Sequence, residues 1–325
     1  MTQVPFVSLA LGPCAGMGAG RVAASHFSVM VKELSQVFVA GPPVAIALGE
    51  NVTKEELGGW KIQAQNGTVD NVVDTEADAF IEARRFLSYL PPSVHDLPQR
   101  TAPADHPDRK EESLLSIVPT DGKTPYKPRK IIDATVDHGS FFEIGKEWGR
   151  GIVTGLARID GYPVGILAGD PFFLDGAWTA DVCDKVTRHM DLCSMFHLPV
   201  IHFVDCPGFA VGVKAETAGV TRAGVRAMTA VYQADVPVCS VVIRKAYGLA
   251  GSAMMNQSKT KWRYCWPSGD WGSLPMAGGI EAAFRKELAE AEDPDALKEQ
   301  LYRKFEAIRS PFRTAESFLA EEIID

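Results

Sequence analysis

The chain is 325 residues long, 46% hydrophobic, and carries a formal net charge of -8. That length accommodates two domains or one large double-lobed unit, and the acidic balance argues against a nucleic-acid partner, whose binding calls for a basic stripe. No apolar run approaches the roughly 18–20 residues that cross a bilayer, and the first residues lack a basic flank and a small-residue cleavage site, so the expected setting is cytoplasmic without membrane insertion.

Residues 6–11 read as an apolar strand that runs into Ala15-Gly16-Met17-Gly18-Ala19-Gly20 and then a helix expected to contain Glu33. Residues 76–90 have helical periodicity, with Phe80, Ala83, Leu87 and Leu90 on one face, and Pro91-Pro92 ends that helix. The stretch 91–130, rich in proline with mixed charges, reads as a connector. Residues 152–169 form two apolar runs around Asp160-Gly161, a strong hairpin signal. Beyond them a rhythm sets in of helix (181–196), strand (200–204), helix (217–234) and strand (236–244), which implies an α/β architecture with covered strands. The six cysteines are scattered, without a C-x-x-C pair or a His at metal spacing, and are expected to be small buried thiols.

A weak internal repeat is the most informative feature. The strand and small-residue loop near Gly16 have a counterpart in residues 238–243 followed by Tyr247-Gly248-Leu249-Ala250-Gly251-Ser252. Backbone stripped of side chains at a helix start presents amide N–H groups that can hold an anion. Roughly 120 residues precede the second loop within its half, against fifteen before Gly16, so the first half is expected to lack its beginning.

Three readings of the Gly16 loop stand side by side: a dinucleotide loop, tight strand-to-helix packing, and an oxyanion site. The first fits poorly, because the third glycine comes early and no acidic residue is expected at the end of a second strand. Two oxyanion sites would suit a reaction in which negative charge develops on two carbonyl oxygens in turn. Other catalytic signatures are missing: no G-x-S-x-G elbow, no H-E-x-x-H, and no obvious carboxylate pair. His138, His189, His197 and His202 are expected to be structural.

Leu11-Gly12-Pro13-Cys14-Ala15-Gly16, Gly41-Pro42-Pro43, Gly49-Glu50, Val52-Thr53 and residues 55–59 stand in the order and spacing of one family's amino lobe. Phe141-Phe142-Glu143, residues 155–165, Asp205-Cys206-Pro207-Gly208-Phe209, Gly224 and Arg244-Lys245-Ala246-Tyr247-Gly248 match its carboxyl lobe. On these residues the chain resembles the carboxyltransferase (beta) subunits of biotin-dependent acyl-CoA carboxylases. The resemblance implies a crotonase-like, double-lobed α/β fold, with residues 1–92 a partial first lobe, 93–128 a Pro-rich connector and 129–325 the second lobe. It implies carboxyl transfer from carboxybiotin to the α-carbon of an acyl-CoA, with biotin carried on a biotin carboxylase or biotin carboxyl carrier subunit and coenzyme A as part of the substrate.

By position, Gly16 and Met17 fall on the pair that holds the thioester oxygen, while Leu249 and Ala250, beside Gly248, fall on the pair that holds the ureido oxygen of biotin. Gly18, Gly208, Phe209, Tyr247 and Ser252 are the substrate-binding candidates, Ser252 at a position used in acyl-chain selection. Met17 and Leu249 replace the family's usual glycines, and Trp60 and Gln63 replace an alanine and a histidine. A site shared between subunits implies a homo-oligomer. Arg21, Lys245 and Arg263 are candidates for the CoA phosphates; surface salt bridging would account for them as well. Trp262, Trp266 and Trp271 are expected to pack a lobe or subunit interface. The alternatives are a biotin-dependent decarboxylase or transcarboxylase subunit, and a noncatalytic structural subunit or fragment; crotonase-type hydration would require a side-chain acid or base.

Overall fold

In a computed structural model, which describes residues 3–324 apart from 104, 107, 254–261 and 274–275, the first part of the chain runs through β1 (Val7–Ala10), β2 (Pro13–Ala15), α1 (Met17–Ala24), β3 (Phe27–Val31), β4 (Gln36–Phe38), α2 (Pro42–Ala47), α3 (Lys54–Gly58), α4 (Trp60–Gln63), β5 (Asn71–Val73) and α5 (Glu76–Leu87). Strands β1, β3 and β5 form a parallel sheet with β3 at its centre, and β2 pairs in parallel with β4. All of β3 is buried, as a parallel strand covered on both faces should be. With Ser28 as its one polar residue, β3 shows no polar alternation, and the expected helix through Glu33 is instead a strand followed by a turn, in which Glu33 has φ 58° and accepts from the Trp60 indole N–H at 3.3 Å.

Helix α5 starts at Thr75, whose side chain accepts from the Asp78 N–H. Its buried face is Ala79, Ala83 and Phe86, not the expected line through Phe80 and Leu87, both of which are exposed. The two alanines let the helix lie close to β3, so that Phe86 stacks on Phe27 with ring centroids 4.7 Å apart.

The second part runs through α6 (Pro128–Thr135), β6 (Phe142–Ile144), β7 (Ile152–Ile159), β8 (Tyr162–Gly169), α7 (Ala180–Met195), β9 (Val200–Cys206), α8 (Val213–Thr217), α9 (Val220–Gln233), β10 (Val238–Tyr247), α10 (Gly248–Ala253), β11 (Trp262–Cys265), β12 (Asp270–Gly272), α11 (Met276–Ala283), α12 (Arg285–Glu290), α13 (Pro294–Arg309), α14 (Pro311–Glu316) and β13 (Glu322–Ile323). One sheet has the order β13-β11-β10-β9-β8-β7-β6, with β12 also pairing with β10. Only the β6–β7 and β7–β8 pairings are antiparallel among those described; the latter is the hairpin closed by Asp160-Gly161. The expected helix over 217–234 is interrupted at Gly219, where φ reaches 76°.

Alternating residues of β7 feed two cores. Ile152 and Leu156 join Val182, Val186 and Phe196 in a core that also takes in Phe27 and Phe86 of the first part. Val153 and Ala157 pack with Ile131, Ile132 and Trp266 on the opposite face. Polar contacts close the same seam. Arg188 on α7 meets the buried Asp70 carboxylate at 2.8 Å, Asp70 also accepts from Ser28, and Asn71 donates to Glu143 O at 3.1 Å. Among the described residues, no helix is long and apolar enough to cross a membrane.

Candidate functional site

The first glycine turn is set by a short parallel pairing. Pro13, Cys14 and Ala15 run beside Gln36, Val37 and Phe38, and the Gly16 N–H continues that ladder to Val39 O at 3.0 Å. Gly16 then adopts φ 56°, ψ -120° and caps α1, a conformation that favours glycine. The expected donor pair at Gly16 and Met17 is therefore divided, because Gly16's N–H has a partner within the chain. The N–H groups of Met17, Gly18 and Ala19 lie in the first helical turn, where none has an intrahelical carbonyl to bond. The Met17 side chain is 76% exposed and Val39 beside it 90%, so this helix start opens onto the surface.

The second turn rests on a junction between the two sequence motifs. Val242 pairs with Val204 and Ala246 with Cys206, so Ile243, Arg244 and Lys245 stand opposite Asp205 alone. The Asp205 carboxylate fills that bulge: Oδ1 accepts from the Lys245 N–H at 3.0 Å and Oδ2 from Arg244 Nε at 3.1 Å and from the Tyr126 hydroxyl at 2.9 Å. Burial, then the Asp205 charge, pushes the Tyr126 hydroxyl well above its ordinary pKa, so it remains a donor. The Arg244 guanidinium also donates to Thr124 O and lies over the Tyr126 ring. Past the bulge, β10 exchanges β11 for β12 as its neighbour and runs to Tyr247 without an intervening loop, so the expected small-residue loop is reduced to Gly248, with φ 60°.

Of the substrate-binding candidates, Gly18 lies in the first turn of α1, while the others lie at or near this second turn. Gly208 has φ 118°, a backbone conformation that favours glycine, and an added Cβ would lie at ordinary contact distance, 3.7 Å, from Tyr247 O. The Phe209 ring lies over Gly224, where a Cβ would be 2.6 Å from Cζ, and meets Trp178 edge-on. Tyr247 donates to Asp270, which also holds Arg309 of α13 at 2.7 Å, and the Arg309 guanidinium sits 4.4 Å over the tyrosine ring. Burial and the Asp270 bond raise the Tyr247 pKa, so this residue stays protonated. Leu249 is 65% exposed, whereas Ala250 is fully buried. Ser252 lies on α10, but its side chain is outside the described residues. Helix α1 packs on β1 and β2, and α10 on β10, β9 and α9, so the two turns are built on separate sheets.

The remaining candidates fall elsewhere. Arg21 is exposed, but Lys245 and Arg263, expected to be available for phosphate, are committed inside the chain: Lys245 pairs with Asp175 and the buried Arg263 donates to Leu319 O. Trp266 is buried in the second core, Trp271 packs against the first, and Trp262 is the exposed member. Of the cysteines, Cys14 and Cys239 are only half-buried, against the expectation that all would be inside. His189 and His202 are buried, His197 binds Val94 O, and burial with the Lys185 charge lowers His189 to about 3. A groove of about 570 Å³ lies under the connector around Arg109 and Asp160, lined by neither glycine turn. Among the described residues, no group of three His, Cys, Asp or Glu is placed to hold a metal.

Local sequence carried no signal for Tyr126, Asp175, Asp270 or Arg309, because their partners at Asp205, Lys245 and Tyr247 lie 23 to 79 residues away. The chemistry on offer at both turns is peptide N–H at a helix start rather than a side-chain acid or base.

The carboxyl transferase domain family matches residues 1–325. The chain is 34% identical to the propionyl-CoA carboxylase carboxyltransferase subunit of Haloferax mediterranei, over 99% of this chain and 63% of that protein. It is 33% identical to the methylmalonyl-CoA decarboxylase alpha subunit of Veillonella parvula, covering 62% of it, and to the methylmalonyl-CoA carboxyltransferase 12S subunit of Propionibacterium freudenreichii, again covering 62%. The crystal structure of transcarboxylase 12S, described as a hexamer with methylmalonyl-coenzyme A bound, superposes with a TM-score of 0.93 at 32% identity over 99% of this chain and 62% of that one. The chain thus spans less than two thirds of the length of these relatives. Its fold is the crotonase-like carboxyltransferase fold.

Proposed function

The chain belongs to the carboxyl transferase domain family, and from that premise we propose that it transfers a carboxyl group from carboxybiotin to the α-carbon of an acyl-CoA. The observation that carries this reading is the pair of helix starts, each entered through a positive-φ glycine, Gly16 and Gly248. Loss of the α-proton, taken up by the ureido nitrogen of biotin that is freed as the carboxyl group departs, turns the thioester oxygen into an enolate oxygen, and Met17 and Gly18 are the amides assigned to it, with Gly16 shaping the turn. Leu249 and Ala250 are assigned to the ureido oxygen of biotin. Donors fixed in advance stabilise such charge without reorganising. Carboxybiotin, delivered by a carrier subunit, supplies the carboxyl group; the chain's own residues bind, orient and stabilise. In this reading residues 1–92 carry the acyl-CoA side, 129–325 the biotin side, and 93–128 the connection.

Exposed apolar side chains at both turns, Met17 and Val39 at the first and Leu249 at the second, support a site completed between copies in a cytoplasmic homo-oligomer. The decarboxylase and transcarboxylase relatives make the reverse direction the second reading, with the same residues in the same roles. The test is transfer of labelled carboxyl from a carboxylated biotin carrier to propionyl-CoA by the assembled protein. Acyl-CoA-dependent transfer is expected; label that leaves the carrier only as free bicarbonate would sink the proposal in favour of a noncatalytic subunit.

A further inference from the structure

We infer that Asp205 is the positioning residue of the second helix start, fixing where Gly248, Leu249 and Ala250 lie through the bulge it fills in β10. The inference rests on the carboxyltransferase reading for its functional consequence, and on the structure alone for its mechanical one.

Three segments meet at this one residue, which is 1% exposed. The bulge leaves β10 without ladder partners on the β9 side, and the carboxylate replaces them by holding the Lys245 N–H and the Arg244 side chain together. On the other side, the Ser268 hydroxyl donates to Ile243 O at 2.7 Å, so the bulge is fixed from both edges. The backbone of Asp205 is equally confined: a Cβ at Gly169 would fall 2.2 Å and one at Gly176 2.7 Å from its carbonyl oxygen. The turn carrying Gly176 includes Leu174 and Asp175, both at positive φ, and Asp175 reaches the Lys245 ammonium. The third segment is the connector, which contributes Tyr126 and Thr124. Lys245 is followed by Ala246, Tyr247 and Gly248, so a shift at its N–H is passed along an extended strand to the helix start. Bulges re-aim a strand in this way.

The experiment compares wild type with Asp205→Asn in the assembled protein, by two readouts. The first is amide hydrogen exchange. Loss of the charge on Oδ1 and Oδ2 is expected to speed exchange at residues 245–250 about tenfold while leaving the β7–β8 hairpin protected, as a local opening does. The second is biotin-dependent decarboxylation of methylmalonyl-CoA. There kcat/KM for biotin is expected to fall on the order of 100-fold, the loss typical of a misplacement of about 1 Å, with KM for the acyl-CoA within about twofold. If Asp205→Asn does not fold, Tyr126→Phe, which removes only the bond to Oδ2, is read in the same way with smaller effects of about threefold to tenfold. Unchanged exchange at 245–250, or equal losses on the biotin and acyl-CoA sides, overturns the inference. Faster exchange in a protein whose wild type performs no carboxyl transfer leaves the positioning role standing and removes the reading of function.

Discussion

Replacing Lys185 with Met should remove a pH dependence that the fold imposes. Lys185 lies on α7 with its ammonium buried, donating to Trp148 O and Ile152 O at 2.8 Å each. Burial lowers its pKa from 10.5 to about 7, against the opposing pull of Glu143, Asp170 and Asp70 and with the push of Arg129. Below pH 7 the folded and unfolded chains both hold this proton, so the penalty is constant. Between pH 7 and 10.5 the unfolded chain binds the proton and the folded chain does not, so wild-type stability rises with pH. The slope approaches about 1.4 kcal/mol per pH unit, or roughly 2 kcal/mol between pH 7 and 9. Urea unfolding of wild type and Lys185→Met at half-unit steps isolates this contribution, since other titrations largely cancel in the difference. Wild type should gain on the variant by that amount across the window. Parallel curves would refute the reasoning, because Lys185 would then keep its proton in the fold.

Two further substitutions test the supports of the site. Asp70→Asn leaves Arg188 at the seam without its countercharge and should destabilise the protein by about 3 kcal/mol in urea unfolding, as expected when one partner of a buried pair is removed; a loss below the measurement error would show that the seam is not held by this pair. Gly224→Ala places a Cβ 2.6 Å from Phe209 and should cost about 1–3 kcal/mol by overpacking, read from thermal unfolding. A neutral outcome would mean that the Phe209 ring moves freely.

Sequence reasoning reached furthest where the signal is local. Asp160-Gly161 fixes a hairpin because a two-residue turn has few solutions, and strands alternating with helices from 181 to 244 identify the class of fold. It failed where packing decides. Residues 27–34 give no polar alternation, so nothing local separates a doubly covered strand with a turn at Glu33 from a helix. In α5 the buried face follows Ala79 and Ala83, whose small size matters only once β3 is known to lie against them. At the site, both glycine turns were legible from composition, but Gly16's commitment to Val39 was not, since it depends on the β2–β4 pairing. The same holds for the second turn: Asp205 and Arg244 stand out as motif residues, while their meeting across 39 positions is a product of the β9–β10 register.

The most direct test of the two-turn account is biotin-dependent decarboxylation of methylmalonyl-CoA by wild type and Met17→Pro. Position 17 opens α1, where proline is well tolerated, and its side chain is exposed, so the substitution deletes one N–H donor with little other change. The account predicts turnover by wild type and a fall in kcat on the order of 100- to 1000-fold in the variant, the loss seen when one oxyanion donor is removed. A folded Met17→Pro protein that turns over within about threefold of wild type, far above that loss, would contradict it.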